Sequence, residues 1–480
     1  MVILSYEFAL AFLVFFIIYW LCYRSIKLQN FCLIVAGIGF LATWNWLFLL
    51  SIFWVWAISQ GAILFFAKLT QPFYRKITLL ISLLLLVGHL CFFKYVNFTI
   101  LQLNQTILSQ HNLNPLDIIM PLGISFYTFQ AISYVIDVYK QKMNPMPSAI
   151  LLGFLTFVPT ITAGPIFRAK DASPQWQRQI ETATESNSTV LFQRRYVLQP
   201  YLAMTLIIFA LFKKIVLAGW LESLWVTPVF SNPLQFNGLE VLTAVYAYSL
   251  QLFFDFSGYT DLAIALGLLL GFRLPENFNQ PYLATDIQDF WNRWHITLST
   301  WIRDYIYIPL GGNRGSFWRV QTNLMLAFLI SGIWHGAGWN FLLWGAIHGI
   351  ALVWLNICKR NGVRHWLTKR SKALAVFITF HYVAFGWIFF RSESFEQATQ
   401  MLQALTHYQD LAFSLSAIPT LVCMLLAWLL YPYLKNARMH TAKLLGYLPW
   451  WSLPILLSLY VVIIFSLAPE GLPGFIYANF

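Results

Sequence analysis

Two histidines stand in surroundings that suit acid–base chemistry. His335 closes the run Ser331-Gly332-Ile333-Trp334-His335-Gly336-Ala337-Gly338-Trp339-Asn340. The residues before it read as the end of an apolar helix, and Gly336 and Gly338 let the backbone turn and a ligand approach closely. A neutral imidazole in that position, fed by a cavity, can act as general base on a hydroxyl. A helix-end histidine bonded to a neighbouring carbonyl fits the same pattern, and spacing alone leaves both readings open. His295 lies in Phe290-Trp291-Asn292-Arg293-Trp294-His295-Ile296-Thr297-Leu298-Ser299-Thr300-Trp301. Trp291, Trp294, Leu298 and Trp301 share one stripe of an ideal helix, which predicts a helix lying at the membrane interface with His295 at the stripe's edge. Taken alone, that pattern favours a structural histidine. His348 comes about 220° round a continuous helix from His335, so spacing does not pair the two.

Other chemistries find little support. No Ser stands in a nucleophile elbow and no Cys accompanies a His, so a covalent enzyme intermediate is not indicated. No metal-ligand spacing occurs, and Cys22, Cys32, Cys91, Cys358 and Cys423 all sit in or beside apolar runs as small hydrophobes. Six of the eighteen acids fall between Asp255 and Asp304: Asp255, Asp261, Glu276, Asp286, Asp289 and Asp304. Asp289 and Arg293 are spaced for a helical pair. Asp255 and Asp261 lie on different faces of any helix and do not form a paired-carboxylate site. Ion pairing is the simpler reading of these acids.

The elements that hold these residues must be membrane helices. Of the 480 residues 59% are hydrophobic and 10% charged, far below the roughly 25% charged of a soluble domain. That excludes soluble, disordered and collagen-like chains. The net charge of +12 belongs to basic cytoplasmic loops and not to nucleic-acid binding. Such a face also attracts polyanionic donors. Spans are predicted at Ile3–Tyr23, Leu47–Ala67, Ile77–Phe93, Tyr196–Leu221, Leu239–Phe256, Ala373–Phe390, Leu411–Leu430 and Trp451–Leu467, with Phe31–Trp44 as a shorter hairpin partner. Ile118–Val138, Ile150–Ile166 and Asn323–Trp334 contain Gly or Pro and read as broken segments, tolerated only inside the protein or along a cavity. The first run lacks a basic flank, and Glu7 stands where a signal peptide would carry a base, so it reads as a retained helix. Ala169–Ser188 reads as a polar cytoplasmic loop.

Basic residues orient the chain. Arg24, Lys27, Lys68, Arg75, Lys76, Lys140 and Lys142 mark the inside, as do Lys435, Arg438, Lys443 and the six bases from Lys359 to Lys372. Asn97–Pro115, Ser392–Asp410 and the tail from Glu470 carry no base and read as outside. Both termini are then outside.

The motif blocks carry a resemblance. They run from Pro121-Leu122-Gly123-Ile124-Ser125-Phe126-Tyr127 and Thr162-Ala163-Gly164-Pro165 to Asp255-Phe256-Ser257-Gly258-Tyr259-Thr260-Asp261 and Glu276-Asn277-Phe278-Asn279-Gln280-Pro281-Tyr282. Then come Phe290 to Tyr305, Pro309-Leu310-Gly311-Gly312, and Trp334-His335-Gly336-Ala337 with Trp344-Gly345 and His348-Gly349. In this order the chain resembles the bacterial branch of the membrane-bound O-acyltransferases, which serves alginate and peptidoglycan O-acetylation and D-alanyl transfer to teichoic acid.

The resemblance implies an all-α polytopic membrane protein. Its ring of about 11 transmembrane helices would surround a thin core with re-entrant or broken helices. One membrane-embedded acyltransferase domain would span residues 1–480, with the motif-bearing core at about 90–350 and peripheral helices at 1–89 and 351–480. His335 matches the catalytic histidine of the family, and His295 matches a second polar position that would orient or polarise the thioester. Trp291, Arg293, Trp294, Ser299, Asp304, Tyr305, Trp334 and Asn340 would contact substrate, the aromatics walling a funnel. Asn292 departs from the family, whose members often carry a base there.

No bound cofactor is implied; acetyl-CoA would be the acyl donor substrate. The expected activity passes an acetyl group across a bacterial inner membrane for O-acetylation of a cell-envelope glycan, peptidoglycan or an exopolysaccharide such as alginate. The outside loops are too short to form a glycan groove, so an extracytoplasmic acetyltransferase or acyl-accepting partner is expected. D-alanyl relay to teichoic acid is the alternative within the family, and a secondary transporter the alternative outside it. Reporter fusions after Lys68 and after Lys372 should report cytoplasm, and a fusion at Asn104 the outside. A cytoplasmic signal at Asn104 overturns the orientation.

Overall fold

A computed structural model describes residues 4–106, 113–177, 179–184, 187–192, 194–361, 371–407 and 417–469. Part of the basic run after Lys359, the start of the predicted span at 411 and the tail from Glu470 lie outside the described residues. Backbone contacts divide the chain into two compact units, Met1–Pro200 with Ala263–Pro275, and Tyr201–Leu262 with Glu276–Phe480.

The first unit begins with α1 (Tyr6–Leu21) and α2 (Ile26–Trp44), whose N-caps Ser5 and Ser25 accept from the backbone N–H groups of Phe8 and Leu28. It continues through α3 (Phe48–Lys68), α4 (Pro72–Thr106) and α5 (Ile124–Tyr139). Every residue of α5 from Ile124 to Val138 is buried, so this helix is the unit's core. Its entry needs Gly123, which has φ 73° and whose Cβ would stand 1.8 Å from the Ile161 carbonyl. Ser51 Oγ ties three helices together, lying 2.8 Å from His89 Nε2 and 2.6 Å from Tyr127 Oη.

The broken segment at Ile150–Ile166 forms α6 (Ser148–Leu155) and the single turn α7 (Val158–Ile161). The polar stretch that follows holds α8 (Ala169–Gln177) and an antiparallel hairpin of β1 (Gln179–Thr184) and β2 (Asn187–Phe192). Arg195, which follows it, is buried: Nη2 donates to Asn30 Oδ1 at 2.7 Å and to the Trp176 carbonyl at 3.1 Å, and the guanidinium lies 4.6 Å from the Phe272 ring centre.

Helix α4 is longer than the predicted span. Its 35 residues reach about 52 Å, more than the roughly 30 Å of hydrocarbon. The stretch expected as a loop from Asn97 is therefore helical as far as Thr106. Asn97 and Asn104, two turns apart, each exchange two hydrogen bonds with the returning backbone, at Leu116 (2.9 and 2.8 Å) and Leu113 (2.8 and 2.9 Å). The polarity that suggested a loop is the face that holds this strand of chain. Helix α2 likewise has 19 residues and is long and apolar enough to span.

The second unit opens with α9 (Pro200–Ser231), which widens to π-helix at Phe212–Ala218, and α10 (Gly238–Leu269). The two backbones draw together at Gly258, whose Cβ would stand 3.1 Å from the Ala210 carbonyl. Gly258 lies midway between Asp255 and Asp261, and neighbouring lysines straddle it. Lys213 Nζ meets Asp261 Oδ2 at 2.5 Å and Ser257 Oγ at 3.3 Å, while Lys214 pairs with Asp255. Arg438 adds a 2.7 Å contact to Asp261 Oδ1. The two aspartates do not share a site: Lys214 balances Asp255, and Lys213 with Arg438 balances Asp261. Arg438, counted above as an inside marker, is spent on this pair.

After α11 (Ile287–Trp291) and α12 (Ile296–Ile302) come α13 (Phe317–His335), α14 (Trp339–Arg360), α15 (Lys372–Arg391) and α16 (Phe395–Ala404). The chain then forms α17 (Ala417–Leu430), α18 (Ala437–Gly446) and α19 (Ser452–Ser466). The segment Asn323–Trp334, predicted to be broken, is continuous within α13. Its Gly332 is a contact and not a break: a Cβ there would stand 2.4 Å from the Phe341 carbonyl and 3.2 Å from the Gly345 Cα.

The protein is thus a helical multi-pass membrane protein. Among the described residues eight helices are long and apolar enough to cross a bilayer, and α1 and α19 are shorter apolar helices. Gly332→Ala should lower the unfolding midpoint in detergent, because Cβ has no room. Gly39→Ala, where nothing lies within 4 Å, should leave it unchanged or raise it. Equal behaviour of the two variants would contradict the packing.

Candidate active site

His335 is the last residue of α13 and only 3% exposed. Gly336 and Gly338 carry the chain away in extended conformation, which any residue adopts; space is what demands glycine. A Cβ on Gly336 would stand 2.1 Å from the Phe341 ring and one on Gly338 2.3 Å from Asn340 Oδ1. The contact of Gly332 with α14 then sets Trp344 beside the imidazole. Ring centres of Trp334, Trp344 and Phe390 lie 4.8, 4.9 and 5.1 Å from that of His335.

His295 departs from its predicted setting. The expected interfacial helix is broken: α11 ends at Trp291 and α12 starts at Ile296, with His295 between them at φ 42° and ψ 54°. A left-handed residue that is not glycine costs about 1–3 kcal/mol unless its surroundings hold it. Asn277 does the holding. Its carbonyl accepts from Ile296 N at 3.0 Å, and its Oδ1 accepts from Thr297 N at 3.3 Å and Thr297 Oγ1 at 2.6 Å. Trp291, Trp294, Leu298 and Trp301 are all buried, so the stripe faces protein and not the interface.

His295 is 1% exposed, with the Phe256 ring edge-on at 4.6 Å. Its Nδ1 lies 3.4 Å from Asn277 Oδ1, and its Nε2 is buried with no hydrogen bond. Burial pushes its pKa down to about 3, so the ring is neutral at physiological pH. Because an amide oxygen only accepts, the 3.4 Å approach of Nδ1 to Asn277 Oδ1 favours the tautomer with its proton on Nδ1. That leaves Nε2 as an acceptor.

No hydrogen bond or ring contact joins the two histidines. They are linked by packed rings: Trp344 stacks on Trp387 at 5.8 Å, Trp387 meets Trp294 at 5.1 Å, and Trp294 meets Phe278 at 5.1 Å. Phe278 in turn meets Phe256 at 5.1 Å. Trp291 belongs to the same cluster, 5.8 Å from Trp344.

The other expected substrate contacts lie elsewhere or are engaged. Arg293 donates to Asp289 at 2.7 Å and to the Asn279 carbonyl at 3.3 Å. Asp304 pairs with Arg303 at 2.7 Å, Ser299 Oγ donates to the Trp294 carbonyl at 3.2 Å, and Tyr305 packs on Trp301 at 5.2 Å. Asn340 donates to the carbonyls of Phe389 (3.2 Å) and Ser392 (2.6 Å), fastening the end of α15.

Helical spacing does not pair His348 with His335, but that geometry does not apply. The chain breaks after His335 and reverses, so the angle round one continuous helix is meaningless. His348 meets Trp344 at 4.9 Å on the same indole that meets His335. It is fully buried, ringed also by Trp291 and Phe290 at 5.1 and 6.3 Å, and neither of its nitrogens has a hydrogen-bond partner. The available signal was the spacing of Trp344 and His348 within α14, four residues apart on one face.

Residues 142–399 match the model of MBOAT, the membrane-bound O-acyltransferase family. The chain belongs to the membrane-bound O-acyltransferase family. A peptidoglycan O-acetyltransferase of Helicobacter pylori is 36% identical over 407 residues, covering 78% of this chain and 73% of that one. A probable alginate O-acetylase AlgI of Pseudomonas aeruginosa is 36% identical over 395 residues, 79% and 70% of the two chains. A teichoic acid D-alanyltransferase of Bacillus subtilis is 29% identical over 304 residues, 58% and 71%. The chain is therefore an acyltransferase, and the matched region of the O-acyltransferase family contains His295, His335 and His348. Asn277→Ala should destabilise the protein by about 1–3 kcal/mol, because the Thr297 donors lose their acceptor. Denaturation in detergent measures this, and unchanged stability would refute the role given to Asn277.

Proposed function

We propose that this O-acyltransferase takes an acetyl group from a cytoplasmic thioester, acetyl-CoA. It passes the group across the bacterial inner membrane for O-acetylation of a cell-envelope glycan, peptidoglycan or an exopolysaccharide such as alginate. The observation that carries the reading is His335, a buried imidazole at a helix end closely packed through two glycines, in a chain whose relatives named for O-acetyl transfer match 78 and 79% of its length. The relative named for D-alanyl transfer matches 58%, which makes D-alanyl relay the second reading. Family membership disfavours the transporter.

His335 takes the proton of the acceptor hydroxyl as its oxygen attacks the thioester carbonyl, and returns it to the departing thiolate. His295, with Nε2 as acceptor, orients the thioester arm by receiving a hydrogen bond from an amide N–H. Its tautomer supports orienting and not polarising. Moving only the acetyl group avoids carrying a polyanionic donor through lipid. Both termini face outward, and the short outside segments leave delivery to the sugar to a separate extracytoplasmic protein.

The test is acetyl transfer by purified chain in vesicles, followed as thiol released from acetyl-CoA with glycerol as acceptor. His335→Ala should slow it about 10²–10⁴-fold with folding intact. Near-normal release by that variant removes His335 from the mechanism. Polymeric glycan supplied without a partner protein should stay unacetylated, and efficient acetylation of the polymer would overturn the relay.

A further inference from the structure

Acyl transfer needs more than a base. As the hydroxyl oxygen bonds to the thioester carbon, the carbonyl π pair moves onto oxygen, and that charge must be met by fixed donors away from water. The hydroxyl proton passes to His335. The C–S bond then breaks, the carbonyl re-forms, and the thiolate takes the proton back. No step in this sequence supplies the donor to the oxyanion, and His295, with its acceptor nitrogen, does not.

We propose that the indole N–H of Trp344 is that donor. Trp344 is fully buried, and its ring centre lies 4.9 Å from that of His335. An indole nitrogen can only donate, and Nε1 of Trp344 has no acceptor. A buried donor left unmade costs about 1–3 kcal/mol, which a phenylalanine in the same place would not incur. The ring is also held immobile, as a preorganised donor must be. Trp387 stacks on it at 5.8 Å with an interplanar angle of 17°, and His348 meets it at 4.9 Å. Its backbone position is set by the next residue, Gly345, whose Cβ would stand 2.5 Å from the Phe328 carbonyl. Trp291 and Trp387 also have buried, unpartnered N–H groups, but their rings do not meet His335. Trp334 does meet it, at 4.8 Å, but as the preceding residue of the same helix it leaves the axis about 100° away from the imidazole, whereas Trp344 approaches from the next helix. Trp344 is thus placed both by chemistry and by contact.

The inference rests on the acyl-transfer reading, and the experiment separates the two. Thiol release from acetyl-CoA is measured with glycerol as acceptor for Trp344→Phe and for a chain in which the Trp344 indole is replaced by benzothiophene. The second exchange removes the N–H while keeping the bicycle and its packing. Both should lose about 10²–10³-fold in kcat with KM little changed. The same indole-to-benzothiophene exchange at Trp387 should stay within a few-fold of wild type. If Trp344→Phe fails to fold, the benzothiophene chain decides. Activity of that chain within a few-fold of wild type, or an equal loss from the exchange at Trp387, overturns the proposal. If His335→Ala is inactive while the donor-less chain is active, the oxyanion role alone falls; if His335→Ala is itself active, the reading of the site falls first.

Discussion

The site depends on one contact, the backbone of α13 against the backbone of α14 at Gly332 and Gly345. Side chains of any size at either position would collide with a carbonyl of the opposite helix. With both positions bare, the helices close, and the residues flanking the contact are brought together: His335 one turn beyond Gly332, and Trp344 immediately before Gly345. In lipid the hydrophobic effect does not press helices together, so close approach of small residues is what secures such a pair. The imidazole then owes its surroundings to backbone geometry more than to its own side chain.

Charge is handled differently in two places within the second unit. Between α9 and α10 the ions are matched, Lys213 with Asp261 and Lys214 with Asp255, around the close approach at Gly258. Removing one partner of such a pair leaves a lone buried charge and costs about 3–5 kcal/mol. Around His295, His335 and His348 the ring neighbours are Phe, Trp and Tyr, with the Asn277 amide beside His295. A neutral imidazole suits that interior, since it holds and gives up a proton at modest cost where a carboxylate would demand a counter-ion. The asymmetry sets the matched ion pairs apart from the imidazoles, which stand among rings and amides.

Much was legible in the sequence. Composition alone required lipid as solvent, because a body with so few charges lacks the polar surface to face water. The apolar runs located most of the helices, and the glycine-flanked His335 and the motif around His295 named the two histidines that family membership also places in the matched region. Interruptions by Pro and Gly marked α6 and α7 correctly as broken. The pairing of Asp289 with Arg293 followed from helical spacing, and so did the divergence of Asp255 from Asp261.

What sequence by itself determined is whatever depends on one segment: which stretches are apolar, which are helical, and which residues can exchange protons. Glycine, by contrast, means opposite things in identical local contexts. Gly332 reads as a break and is a contact, whereas the break in the expected helix falls at His295, where no residue type announces a left-handed turn. Asn277, eighteen residues away, stabilises that turn. The angle that leaves His348 unpaired with His335 belongs to a continuous helix, and the chain in fact reverses between them. Tertiary structure decided these points because close packing and hydrogen-bond satisfaction are properties of pairs of segments. Only the folded chain shows which carbonyl lies opposite a missing Cβ, and which buried N–H finds no acceptor.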